Sequence, residues 1–248
     1  MTVLITRPAP DCYRLAEQLN AAAISAIAQP LLTLKAGDGL SSLLLQINAL
    51  KAGDYIIAVS HHAVTFAHDY LVSQGAAWPK NVHYIAIGHK TAATLTKLSG
   101  QRVLSPEHRC DSEGLLALPE LANVTDRNIL ILRGNGGREL IHQALTARHA
   151  VVNYCETYQR CWLDLDGEKL VAQWQHQQLD TLVITSAEQL VFLTTRIPTQ
   201  HLTWFLNCHL LVPSQRVAEQ ATTLGFMNIS TVGSASNHAL FTFLSNFS

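Results

Sequence analysis

The sequence predicts an α/β protein of two similar doubly wound parallel-sheet lobes, and three observations carry that reading. Short apolar runs without polar alternation, such as Val3–Thr6, Tyr55–Val59 and His83–Ile87, suit strands covered on both faces. Amphipathic stretches of helical period separate them, which is the pattern of right-handed βαβ units. The series then returns 126 residues later. Leu4-Ile5-Thr6-Arg7-Pro8 is echoed by Leu130-Ile131-Leu132-Arg133-Gly134, Ala58-Val59-Ser60 by Ile184-Thr185-Ser186, and Ile85-Ala86-Ile87-Gly88 by Leu211-Val212-Pro213-Ser214, each at the offset of 126.

Each copy divides into three pieces. The first is the strand Val3–Thr6, a helix over Asp11–Ala22 and an apolar run over Ser25–Leu34; its partner is Asn128–Leu132, Arg138–Arg148 and Ala150–Tyr158. The second is Tyr55–Val59 with a helix from His62 to Leu71, echoed by Thr181–Thr185 and a helix from Ala187. The third is His83–Ile87, a helix over Lys90–Leu98 stopped by Gly100, and Arg102–Leu104. Its echo is His209–Val212, a helix to Leu224 stopped by Gly225, and Asn228–Ser230. Two copies imply two lobes with a cleft between them.

Composition narrows the function. The 248 residues are 48% apolar and 14% charged, which gives ample core and argues against disorder. With 17 Lys+Arg against 18 Asp+Glu there is no electrostatic footprint of a nucleic-acid binder. No apolar run nears the ~20 residues of a membrane span, and Met1–Pro8 lacks the regions of a signal peptide. No nucleic-acid or membrane partner is expected, and a soluble cytoplasmic protein is. Cys12, Cys110, Cys155, Cys161 and Cys208 form no C-x-x-C pair, so reduced, mostly buried thiols are expected. The twelve histidines, His61-His62 and His68 densest among them, have no metal-binding spacing, and no metal is expected.

In doubly wound sheets ligands gather at the carboxyl ends of the strands. Four strand-to-helix turns are polar there: Thr6-Arg7-Pro8, Ser60-His61-His62, Gly88-His89-Lys90-Thr91 and Arg133-Gly134-Asn135-Gly136-Gly137-Arg138. As a set facing one cleft, their N–H groups and hydroxyls suit an anion, while any one alone is read as helix capping. Gly134–Gly137 is not a dinucleotide fingerprint, because Glu139 stands at the third glycine position. Trp174 and Trp204 are read as core or rim. Tyr154–Cys161 is extended, with alternate polar positions, and matches Gln29–Leu34 at the same offset. Paired, these two segments would make an inter-lobe hinge with Tyr158 at the cleft. An edge-strand tyrosine packing its ring is the competing reading.

Taken together, these residues resemble the uroporphyrinogen-III synthase family. The likeness rests on Leu4–Pro8, Val59–Val64, Ala86–Ala92, Leu130–Gly134 with Arg138, Glu156-Thr157-Tyr158 and Leu182–Ser186, in that order and spacing across nearly the whole chain. It implies a discontinuous first lobe of residues 1–34 and 164–248, a second lobe of residues 38–155, and connectors at 30–37 and 156–163. It also implies a cytoplasmic monomer without cofactor or metal, with hydroxymethylbilane synthase as a transient partner. The implied activity is that of a hydro-lyase of haem biosynthesis, closing hydroxymethylbilane to uroporphyrinogen III with loss of water and inversion of ring D. Tyr158 matches the family tyrosine held to assist departure of the hydroxyl. Thr6, Arg7, Ser60, His61, Gly88, Thr91, Arg133, Gly134, Asn135, Ser186 and Ser214 are the expected substrate contacts. The family's second threonine is not kept, since Val217 stands there after Ser214-Gln215-Arg216. The competing classes are a two-lobe protein that binds a small anion without catalysis, and a nucleotide-dependent transferase using Gly134–Gly137.

Overall fold

The computed structural model describes residues 1–137 and 139–246. The first copy runs β1 (Thr2–Ile5), α1 (Asp11–Ala21), β2 (Ser25–Ala28), β3 (Leu32–Ala36), α2 (Leu40–Ala49), β4 (Tyr55–Ala58), α3 (His61–Ser73), β5 (His83–Ala86), α4 (His89–Ser99) and β6 (Val103–Leu104), and α5 (Ser112–Leu116) follows. The second runs β7 (Asn128–Gly134), α6 (Leu140–Ala147), β8 (Val151–Trp162), α7 (Gly167–His176), β9 (Thr181–Val183), α8 (Ala187–Thr194), α9 (Leu202–Asn207), β10 (His209–Val212), α10 (Gln215–Thr223), β11 (Asn228–Thr231) and α11 (Asn237–Ser245). Arg138, expected to open the helix after β7, lies outside the described residues.

The chain divides into two compact units, Met1–Thr33 with Cys161–Ser248, and Leu34–Arg160. The first holds a five-stranded parallel sheet, β11-β10-β9-β1-β2. The sheet of the second has the order β3-β8-β7-β4-β5-β6, parallel from β8 to β6. Shifted by 126 residues, β6-β5-β4-β7-β8 becomes β11-β10-β9-β1-β2 with its halves exchanged. The registers agree as well: Thr2 pairs with Ser25 as Asn128 pairs with Val151, and Tyr55 with His83 as Thr181 with His209. Each sheet is thus built partly from each copy.

Alternate residues of these strands enter different cores, which is why the runs are apolar throughout. In the discontinuous unit, Leu4, Leu182 and Leu210 face the cluster containing Trp174 and Phe205, whereas Val3, Ile5, Val183 and Leu211 face that of Leu15 and Leu244. In the other, Ile56, Leu130 and Leu132 pack with α2 and α3, and Ile57, Ile129 and Ile131 with Leu115 and Leu145. Trp174 is fully buried and Trp204 packs against the same core, as expected of core or rim residues. All five thiols are free; Cys12, Cys155 and Cys208 are buried, and Cys110 is exposed.

One expectation needs correction. Ser25–Leu34, read as one run, is two strands in different sheets, β2 and β3, parted at Gln29-Pro30-Leu31. Pro30 has no N–H to continue a ladder. The second copy has Glu156 at that position, and β8 runs unbroken for twelve residues. Hydrogen bonds from Gly37 N–H to the Thr157 carbonyl and from Leu163 N–H to the Leu31 carbonyl show that β3 runs antiparallel beside β8. The unit boundaries fall within this pair of strands.

Among the described residues no helix is long and apolar enough to cross a membrane.

Candidate active site

In the unit Leu34–Arg160 the chain leaves β4 on one side of the sheet and β7 on the other, so β4 and β7 flank a topological switch point. A cavity of about 520 Å³ opens there, where such folds place their ligands. Its wall includes Ser60 and His61 after β4, Thr91 after β5, Arg133 and Gly134 at the end of β7, and Tyr158 on β8.

Local structure explains each placement. Ser60 is the N-cap of α3, in an extended conformation, and its Oγ accepts from the His62 N–H at 3.2 Å. Capping and cavity lining are therefore both true of it. The Tyr158 hydroxyl also donates to this oxygen, at 3.4 Å. Gly88 caps α4 without a side chain, and Thr91 follows in the first turn, 6% exposed. The His61 ring sits 3.9 Å from that of His62, which meets Tyr158 edge-on at 5.9 Å.

Tyr158 owes its position to a bulge. Arg133 pairs with Glu156 and Gly134 with Tyr158, which leaves Thr157 as the extra residue. A bulge re-aims the side chains that follow it. Here it buries Thr157 and Tyr158 in succession, where a regular strand would alternate them. The Thr157 hydroxyl donates to the carbonyls of Ala63 and Arg133, which ties α3 to β7. The Tyr158 ring stacks with Phe66 at 5.9 Å and lies over Gly134, where a Cβ would come within 2.5–2.9 Å of the ring carbons. Only glycine permits that approach. Tyr158 is 3% exposed and belongs to a core cluster, yet it also lines the cavity. Since β3 covers β8, it is not an edge-strand tyrosine.

Arg133 is the buried cation of this wall. Its Nη1 donates to Glu139 Oε1 at 2.9 Å, and its guanidinium lies 4.3 Å from the Tyr154 ring centroid. The Tyr154 hydroxyl donates to Glu139 Oε2 at 2.8 Å; burial and this bond push it up to about 12, so it stays a donor.

Thus Ser60, His61, Thr91, Arg133, Gly134 and Tyr158 meet at one cavity. Gly88 and Asn135 stand beside it in the chain; Asn135 Oδ1 accepts from the Arg160 N–H. Thr6, Arg7, Ser186 and Ser214 belong to the other unit, at the carboxyl ends of β1, β9 and β10. The Thr6 hydroxyl is fully buried and donates to the Val183 carbonyl, Arg7 is held by Asp11 and Asn237, and Ser186 caps α8. Val217 packs in the core of that unit, whereas its counterpart Thr91 lines the cavity.

Cys110, Asp111, Ser112, Tyr154 and Arg160 also line the cavity and were not anticipated. The repeat held a signal for one of them. Asp111 and Asn237 stand 126 apart, and Asn237 accepts from Arg7, the counterpart of Arg133.

The wall combines a buried cation, helix-start N–H groups, hydroxyls and a phenol donor. Such a set can hold carboxylates and give a hydrogen bond to a departing hydroxyl. Comparison with known proteins points the same way. A model of the family described as Uroporphyrinogen-III synthase HemD matches residues 13–241. The uroporphyrinogen-III synthase of Escherichia coli (strain K12) is 43% identical over 97% of this chain and 98% of its own. That of Proteus mirabilis is 37% identical over 77% of this chain and 96% of its own. Among solved structures, a mutant uroporphyrinogen III synthase of the extremely thermophilic bacterium Thermus thermophilus superposes with a TM-score of 0.66 at 15% identity, over 100% of this chain and 99% of that one. The Helicobacter pylori 26695 enzyme gives 0.61 at 12% over the whole of both chains, so the fold is shared. Identity along nearly the whole chain and the family match together show that this chain belongs to the uroporphyrinogen-III synthase family.

Proposed function

We infer that the chain carries out the reaction of its family, closing hydroxymethylbilane to uroporphyrinogen III with loss of water and inversion of ring D. The observation that carries this reading is the 43% identity over 97% of the chain. We further assign the reacting end of the bilane to the cavity at Tyr158. The Tyr158 hydroxyl gives its proton to the leaving hydroxyl oxygen, which departs as water and leaves an azafulvene cation. The cation is attacked by the substituted carbon of ring D. The spiro intermediate fragments by breaking that carbon's older bridge bond and recloses at the free α-carbon of ring D, whose proton is lost and restores the Tyr158 hydroxyl. The protein's larger contribution is to hold the chain so that this carbon is the near one.

The substrate bears eight carboxylates, while the chain has a net charge of −1. Helix-start N–H groups and hydroxyls hold them without net charge, with Arg133 adding one cation. Thr6, Arg7, Ser186 and Ser214 serve as the anion contacts of the other unit. Residues 30–37 and 156–163 act as the covalent hinge, and a single copy of the chain suffices. Hydroxymethylbilane synthase is a transient partner, and the cytoplasm is where the chain works.

Incubation with hydroxymethylbilane, then oxidation and chromatography of the products, tests the reaction. The type III isomer is expected in excess of the type I isomer that forms unaided. Type I alone would overturn the reading.

A further inference from the structure

Arg133 and Glu139 form an asymmetric pair. The Arg133 side chain is 5% exposed and that of Glu139 is 51% exposed. The guanidinium is fixed from below by the Tyr154 ring and by a bond from its Nε to the Gly134 carbonyl. Glu139 follows Gly136 (φ +77°) and Gly137 (φ +122°), and a Cβ on Gly137 would come 3.2 Å from Arg133 Nη2. The glycine loop thus lies close over the guanidinium and brings one carboxylate oxygen to Arg133 and the other to Tyr154. These two donors, both in the cavity wall, hold the Glu139 carboxyl below its ordinary value, so it faces them as an anion.

We propose that Glu139 is an internal stand-in for a substrate carboxylate, occupying Arg133 until a ligand carboxylate displaces it. A buried guanidinium left alone would be costly, and Glu139 removes that cost. The half-exposed carboxylate returns to water easily, whereas the cation stays where the Tyr154 ring holds it. A ligand then gains Arg133 only if it brings a carboxylate that reaches it, and an uncharged analogue must leave the internal pair intact. Selectivity comes from this competition, at the expense of affinity.

The proposal rests on the assignment of the bilane to this cavity, and its test separates the two. Uroporphyrin III, the stable oxidised octacarboxylate, is titrated by fluorescence into the whole protein and into Glu139→Gln and Glu139→Ala, with its octamethyl ester as the uncharged control. KM for hydroxymethylbilane is measured alongside. Loss of the competing charge is expected to lower both Kd and KM by about two- to fivefold, the worth of a half-exposed ion pair. Binding of the ester should not change. In Arg133→Gln the gain from Glu139→Gln should vanish, a coupling that a merely structural role of Glu139 would not produce. A Kd or KM that rises or stays level in Glu139→Gln overturns the proposal, as does an equal gain for the ester. Failure of the unaltered protein to convert the bilane would overturn the functional reading, and the porphyrin titrations would still decide the role of Glu139.

Discussion

Asp54 and Asp180 stand 126 residues apart and do the same work in the two units. Asp54 Oδ1 accepts from the Asn128 N–H as Asp180 Oδ1 accepts from the Thr2 N–H, and the two Asp carbonyls accept from His83 and His209. Each carboxylate thereby ties the first strand of one copy to the second piece of the other. They differ in burial: Asp54 is 2% exposed, whereas the Asp180 side chain is 55% exposed. Burial alone would raise the Asp54 carboxyl, but hydrogen bonds from Lys51 N–H, Asn128 N–H and Asn128 Nδ2 outweigh it and hold the group below its usual value. Its contribution is therefore present above the unfolded value of about 3.9 and lost as pH falls through the folded one. Asp54→Ala should cost about 2–4 kcal/mol in denaturant melts at neutral pH, because buried donors lose a charged acceptor. Asp180→Ala should cost under about 1 kcal/mol. Equal losses would show that burial is not what separates them. Neither residue is legible in the sequence, because an aspartate before a strand looks like an ordinary turn residue. Thr91 and Val217 are legible there as a mismatch, and the structure gives the mismatch meaning: one faces a cavity and the other a core.

Among the elements, the strands most confined by packing are the easiest to read. β1, β4, β5, β7 and β10 announce themselves as apolar runs because both faces are covered. The split of Ser25–Leu34 at Pro30 is not legible, since residues on both sides are apolar and only the missing N–H marks the break. α2 and α7 stand at corresponding places of the two copies, as α5 and α11 do, but so few identities join them (Leu44 with Leu170, Leu118 with Leu244) that the sequence does not flag them. Nor is the bulge in β8 legible, because it emerges only when two strands are laid in register, at Arg133 and Gly134. The glycine opposite it is the sequence's one trace of that geometry. Gly134→Ala should push the Tyr158 ring aside, cost about 1–3 kcal/mol in thermal or denaturant melts, and lower turnover as well. Unchanged stability and activity would mean that the ring does not depend on close contact with residue 134.

For the molecule as a whole, duplication with exchange means that sequence halves are not folding units. Residues 1–126 contain β1 and β2 without the strands β9–β11 that complete their sheet, and β4–β6 without β7 and β8. Residues 34–160 contain one unit as a continuous stretch. Expressed alone, 34–160 should unfold cooperatively in urea, and 1–126 should show no cooperative transition. The reverse result would contradict the exchange of halves. The repeat is visible in sequence, but which copy each strand joins is not, since offset alone cannot say whether a sheet is made within or across copies. The same unit holds the cavity to which the reacting end of the bilane is assigned, with Tyr158 as its acid. That assignment is tested most sharply by comparing rate and isomer ratio for the unaltered chain and Tyr158→Phe with hydroxymethylbilane. A fall in kcat of about 10²-fold is expected, with a product shifted from type III towards type I and a smaller effect for Thr91→Ala. Tyr158→Phe with unaltered rate and isomer ratio would contradict it.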